Sequence, residues 1–263
     1  MTTRAALGAL MDELSPLRLA EAWDNVGWIV DPNPEEEVRG VFLTIDLTQE
    51  TFEEAIAAGV NQIIAYHPPI FSALKRLRVS EPKEALIVRA LAAGIGIFSP
   101  HTALDAAAGG MTDWLSEAFG TGTRTPIIPS EPGALTGAGR LVTLDTPILW
   151  EDTIERLKAH LGAPALRASR SPRGAERIRE IAFCPGAGGS LFEKVPRADL
   201  FVTGEMRHHD VLSRKNTGCH VILTEHTRSE RGYLPRLAER LRQAGLEGPI
   251  LVSQTDADPL DYV

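Results

Sequence analysis

The strongest constraint on this chain is a rhythm. From Gly40 to His101 short apolar runs alternate with longer amphipathic ones: GVFLTID, TQETFEEAIAAG, NQIIAYHPP, SEPKEALIVRALAAG and GIGIFSPH. The short runs read as strands and the long ones as helices. Thr48 can cap the first helix, Gly59 and Gly94 can stop the two helices, and Pro68-Pro69 ends the middle strand. Strand-helix-strand alternation implies parallel pairing through right-handed crossovers. A helix over Ala5–Leu14 and a turn-strand segment, EAWDNVGWIVDP, precede it, with Trp23 and Trp28 expected in the core.

The rhythm breaks between about Thr121 and Gly139, a stretch rich in Gly, Pro, Ser and Thr that is the best boundary in the chain. It then restarts. RLVTLDTPILWEDTIERLKAHLG reads as a strand and a capped helix, ALRASRSPRGAE as a loop or short edge strand, and RIREIAFCP as a strand. GAGGSLFEKV reads as a turn into a helix. ADLFVTGEM and HVILTEH are strands around a helix, HHDVLSRKNTG, and SERGYLPRLAERLRQAG is a helix reset at Pro235. GPILVSQT is the last strand. The expected fold class is therefore α/β: two related α/β lobes with mixed, mainly parallel sheets flanked by helices, and two such lobes facing each other would bring their strand ends into one cleft. The first lobe covers 1–125, with a final strand at 249–263 packing on it, and the second covers 126–248.

Composition narrows the function. A length of 263 residues with 43% hydrophobic and 24% charged is ordinary for a globular protein. The net charge of −8, with no long basic run, disfavours nucleic acid as a partner. The two cysteines, Cys184 and Cys219, form no CxxC pair, which disfavours a thiolate zinc site and fits a reducing cytoplasm. No apolar run reaches the length of a membrane span.

The chemistry collects at strand ends, where parallel α/β sheets bind ligands. His67 ends NQIIAYH. His101 ends GIGIFSPH, with Asp105 four residues on. His226 ends HVILTEH, with Glu230 four residues on. Glu205 ends ADLFVTGE, followed by His208 and His209. Residues four apart leave a helical turn on one face, so His226 and Glu230 offer a two-point grip. A single HxxxE fits an exposed helix face as readily, and a lone strand-end histidine fits a cap. The joint placement favours a site. Imidazoles and carboxylates without thiolates suit Zn, Mn, Fe, Co or Ni. His67, Asp105, His226 and Glu230 suffice for two ions if one carboxylate bridges. His160 and His220 fall outside the pattern and read as surface and structural. PGAGGS (185–190) lacks the lysine of a P-loop and the spacing of a dinucleotide turn, so it reads as a tight turn first and an anion cradle second.

The segments LAEAWDNVGWIV, AYHPPIF, HTALDAAAGGMTDWL, GAGR, CPGAGGSL, ADLFVTGEMRHH and EHTRSERGYL occur in this order. Through them the chain resembles the NIF-three-like family, often labelled GTP cyclohydrolase 1 type 2 homologues. The resemblance implies two lobes with a dinuclear metal site in the cleft between them, two divalent ions per chain, and a homohexamer. It implies metal ligation by His67, Asp105, His226 and a bridging Glu230. Tyr66 stands where the family's His-His-Pro motif has its first histidine, and a phenol is a poor ligand at neutral pH. His101, Glu205 and His209 match positions beside the site, as candidate catalytic or substrate-contacting groups. The expected activity is hydrolysis of a nucleotide or phosphorylated, anionic small molecule. The alternatives are non-enzymatic metal handling, as a chaperone or insertase, and a regulatory interaction protein.

Overall fold

Four apolar runs become strands β1 (Gly27–Val30), β2 (Val41–Thr44), β3 (Gln62–Ala65) and β4 (Gly96–Ser99) in the computed structural model, which describes residues 2–260. Every residue of β2, β3 and β4 is buried, as strands covered on both faces require. They belong to a first unit formed by the chain up to Leu104 and from Leu234 onward; Asp105–Tyr233 forms a second.

In the first unit the sheet order is β1, β4, β3, β2 and then the chain's last strand, Ile250–Val252. The expected terminal segment, 249–263, runs past the described residues. β2, β3, β4 and the last strand pair in parallel, and β1 lies antiparallel on β4. Helix α2 (Gln49–Ala57) opens with a reciprocal capping box between Thr48 and Thr51. α3 (Pro82–Ala92) opens on a proline, whose missing N–H costs nothing there. Both connections after these helices turn at a glycine with positive φ, Gly59 (+72°) and Gly94 (+69°). Phe42, Phe52, Ile63, Ile87 and Ile97 fill the core between sheet and helices. Arg4, on α1 (Arg4–Leu14), is fully buried. It donates from Nε to Gln62 Oε1 (2.9 Å) and from its two Nη atoms to the carbonyls of Asn33 (2.6 Å) and Gly94 (2.8 Å). These bonds satisfy a desolvated cation and pin α1 to β3.

The second unit is a mixed sheet. Its strands are β5 (Gly122–Thr125), β8 (Arg140–Leu149), β9 (Arg167–Ser169), β10 (Arg177–Cys184), β11 (Leu200–Thr203) and β12 (His220–Leu223). A small ribbon, β6 (Ile128–Pro129) with β7 (Gly137–Ala138), stands apart. The order is β5, β8, β10, β11, β12, β9. The central β10–β11–β12 pairings are parallel and those of β5, β8 and β9 are antiparallel. After α4 (His101–Ala106) and α5 (Met111–Ser116), α6 (Trp150–Leu161) and α7 (His208–Asn216) lie where the pattern predicts. Buried Arg140 holds the GAGR segment. Its guanidinium reaches Asp113 Oδ1 (2.5 Å) and donates to the carbonyls of Gly137 and Gly139 (both 2.7 Å), Ala106 (3.3 Å) and Ala107 (3.2 Å).

Local readings fail in four places. The helix read over residues 229–245 begins only at Leu234, after 3-10 turns at Thr227–Ser229 and Arg231–Tyr233. GAGGSLFEKV makes only a 3-10 turn, Leu191–Lys194. Pro196 follows, Val195 before it is extended, and no longer helix fits. α6 has no side-chain cap, because β8 runs straight into it through Leu149. Trp23 is not in the core: it is 61% exposed.

Candidate metal centre

The first unit gathers Asp24, Asp46, Tyr66, His67 and His101 around the ends of β2, β3 and β4. β3 stops at Ala65, so Tyr66 and His67 turn off its carboxyl end. Asp46 stands two residues past β2. Its Oδ1 meets His67 Nδ1 at 2.9 Å. Asp24 Oδ1 meets His101 Nδ1 at 2.7 Å, while its Oδ2 accepts from the N–H (3.1 Å) and hydroxyl of Thr102. Burial pushes the Asp24 carboxyl up, but the hydrogen bonds from His101 and Thr102 outweigh it and hold the group below its ordinary value. Each imidazole thus has Nδ1 against a carboxylate, the arrangement that orients a ring and raises the basicity of the other nitrogen. The rings of Tyr66, His67 and His101 are mutual neighbours, with centroids 5.0–5.4 Å apart. Tyr66 itself is buried.

In the second unit, His226 and Glu230 bracket a 3-10 turn, Thr227–Ser229. The turn keeps both side chains on one side. His226 Nε2 lies 3.7 Å from Glu230 Oε1, and His226 Nδ1 lies 3.4 Å from Glu205 Oε1. Glu230 is 1% exposed, a desolvated acid facing an imidazole. The glycine loop after β10 makes room for this pair. Gly186 has φ +59°, and a Cβ built on it would fall 2.9 Å from Glu230 Oε1 and 3.1 Å from His226 Nε2. Its N–H donates to Ser229 Oγ (2.8 Å), and its carbonyl accepts from Glu205 N (2.8 Å) and Thr203 Oγ1 (3.1 Å). PGAGGS is thus a turn that accommodates the His226–Glu230 pair.

Backbone strain marks both places. Among the described residues, the non-glycines with positive φ are His101 (+29°) and Glu225 (+65°), each at a strand end beside these side chains. A bidentate pair with Arg167, 2.8 and 3.1 Å, holds Glu225.

In each unit the donors fit a borderline divalent cation: in the first, imidazole nitrogens with carboxylates behind both rings, and in the second, an imidazole and a buried carboxylate beside a glycine notch that a side chain would fill. The other predicted residues fall as follows. Asp105 is half-buried on α4 (His101–Ala106), one turn after His101. Glu205 is exposed just after β11, and His208 and His209 are exposed at the start of α7. His160 packs on Trp114 at 4.6 Å rather than lying free on the surface. His220 is structural: it is buried, stacks on Trp150 at 4.5 Å and bonds Ser171 N and the Ala175 carbonyl. Asp46 was missed, although an acid two residues beyond a parallel strand is a legible signal.

Residues 2–259 match the family described as Duf34/NIF3 (NGG1p interacting factor 3). The chain is 35% identical to NIF3-like protein 1 of Rattus norvegicus, covering all of this chain and 93% of that protein. It is 36% identical to Protein NIF3 homolog of Schizosaccharomyces pombe, covering 92% of each. Among solved structures it is similar to a Staphylococcus aureus hypothetical protein, with a TM-score of 0.85 and 25% identity over 100% of this chain and 99% of that one. It shares the fold of a Bacillus cereus protein related to NIF3, with a TM-score of 0.84 and 20% identity over 99% of each chain. Among the described residues, no helix is long and apolar enough to cross a membrane.

Proposed function

This chain belongs to the Duf34/NIF3 family, and from that premise we propose that it is a metal-dependent hydrolase of a nucleotide or other phosphorylated small molecule. His226 and Glu230 are the proposed ligands of a divalent ion in the second unit, and His67, backed by Asp46, is the proposed ligand in the first. Asp105 is the proposed further ligand for a second ion, with Glu230 bridging. The observation that carries the reading is the buried Glu230 carboxylate facing His226 across the notch that Gly186 leaves. A bound Zn, Mn, Fe, Co or Ni ion would supply the positive charge that polarises a phosphate or carbonyl oxygen.

The chain's own residues do the rest. Asp46 orients His67, and Asp24 orients His101 with its Nε2 free of that bond. His101 then serves as a proton donor or acceptor. Glu205, against His226 Nδ1, holds that ring's orientation and exchanges protons with solvent. His209 is the proposed substrate-contacting group on α7.

The test is metal analysis of the purified protein together with a nucleotide and phosphoester panel, for wild type and Glu230→Gln. Bound metal with turnover that disappears in the folded variant supports the hydrolase. A second reading, non-enzymatic metal handling, is favoured by one observation: buried Tyr66 occupies the position that the family resemblance gives to a histidine. Full metal occupancy in the wild type, with no turnover on any compound, selects it over the hydrolase.

A further inference from the structure

The first unit shows an aromatic pair that packing does not explain. Trp23 and Phe71 are 61% and 53% exposed, although both are large and apolar. Their ring centroids are 5.9 Å apart at 57°, so neither stacks on the other and each leaves a face open. Both rings border His101, at 6.1 and 6.3 Å, edge-on. The segments that carry them are linked, because the Asn25 side chain donates from Nδ2 to the Ile70 carbonyl at 2.5 Å. Asp24, next to Trp23, is fixed by His101 and Thr102. Two aromatic rings are therefore held at set positions beside the His101 imidazole, with much of each ring exposed to water.

Exposure of this kind marks a binding surface rather than a core. A tilted, separated pair suits a flat ring that slides against one face and meets the edge of the other. We propose that Trp23 and Phe71 form a stacking platform for a planar heteroaromatic ring, carried by the molecule that His101 acts on. The exposed cations Lys75 and Arg76, which follow Phe71 in the chain, suit an anionic group on the same ligand. This deepens the hydrolase reading by naming the substrate class, a phosphorylated compound with a nucleobase-like ring. The competing occupant is a protein partner. It would also cover Leu77 and Val79, which are exposed further along the same segment.

The experiment uses the full chain with guanosine and adenosine 5′-monophosphates as probes and ribose 5-phosphate as the ring-free control. Binding is read by calorimetry and by tryptophan fluorescence, with circular dichroism confirming the fold of each variant. The expected result has four parts. The nucleotides bind at least tenfold tighter than ribose 5-phosphate. Trp23→Ala weakens nucleotide binding about tenfold or more, in the range of one base–aromatic stack, and leaves ribose 5-phosphate unchanged. Trp23→Phe retains most of the affinity. Leu77→Ser has no effect. Equal nucleotide affinity in wild type and Trp23→Ala overturns the inference, as does the absence of nucleotide binding to the wild type. Loss of binding in Leu77→Ser equal to that in Trp23→Ala also overturns it, in favour of a wider docking surface. Turnover is measured in the same samples. Nucleotide binding that depends on Trp23 without hydrolysis keeps the platform and removes the hydrolase. Hydrolysis with a KM indifferent to Trp23 does the reverse.

Discussion

At the scale of single residues, small local geometries carry consequences out of proportion to their size. Gly186 is the sharpest case. Its φ of +59° is one that other residues adopt at a cost, and its missing Cβ leaves the space facing Glu230 and His226. Gly186→Ala is expected to lower metal affinity roughly 10- to 100-fold, the range for disturbing a ligand's support. Competition with a chelating indicator measures this, and unchanged affinity would detach the glycine from the site. Glu54 makes a different case. Burial pushes its carboxyl up, but donors from Gln254, Ser253 and Thr255 outweigh that and hold it below its ordinary value of 4.5. Those bonds, 2.7–3.1 Å long, fasten the segment after the last strand to α2. A carboxylate whose pKa falls on folding stabilises the protein above its unfolded pKa, and that stability is lost as pH drops through the lower folded value. Glu54→Gln is therefore expected to cost about 1–2 kcal/mol at pH 7. The gap from wild type should close as pH falls below about 4.5. Urea titrations at pH 7 and pH 3.5 would show it, and a gap that widens on acidification would contradict the assignment.

At the scale of elements, the reading from sequence succeeded where the signal is local and failed where neighbours decide. The Thr48 cap and the glycine stops after α2 and α3 are properties of a few adjacent residues, and they formed as read. The Leu191–Lys194 segment did not become a full helix, because Pro196 and the extended Val195 cut it short. β8 was expected to hand over to a capped helix, but its handover at Leu149 needs no cap side chain. Arg140 shows why a motif such as GAGR is hard to weigh from sequence alone. Arginine is a residue type mostly found exposed, yet here it is buried, bonded to Asp113 and four backbone carbonyls. Arg140→Ala leaves those acceptors desolvated and is expected to destabilise the second unit by about 3–5 kcal/mol. Arg140→Lys should recover little, since an ammonium cannot reproduce the planar fork. Denaturant unfolding of both variants checks this.

At the scale of the whole molecule, a bound ion links ligand chemistry to stability. A metal held at a hundred times its dissociation constant would add about 2.7 kcal/mol. Removing it with a chelator should lower the melting temperature by about 5–10 °C. Scanning calorimetry before and after adding metal back would read the shift, and no change would argue against metal in the folded chain. The α/β class, the strand-end placement of His67, His101 and His226, and the four-residue spacing of His226 and Glu230 were legible in the sequence, because periodicity and spacing are written along the chain. The partners of those side chains were not. Asp24 lies 77 residues from His101, and Gly186 lies 44 residues from Glu230. Trp23 reads as core by composition and stands in water in the fold. Local sequence fixes which way a strand or turn points. Which distant carboxylate, glycine or ring comes to rest beside it depends on how the sheets and their loops pack, and that is settled only when the chain has closed on itself.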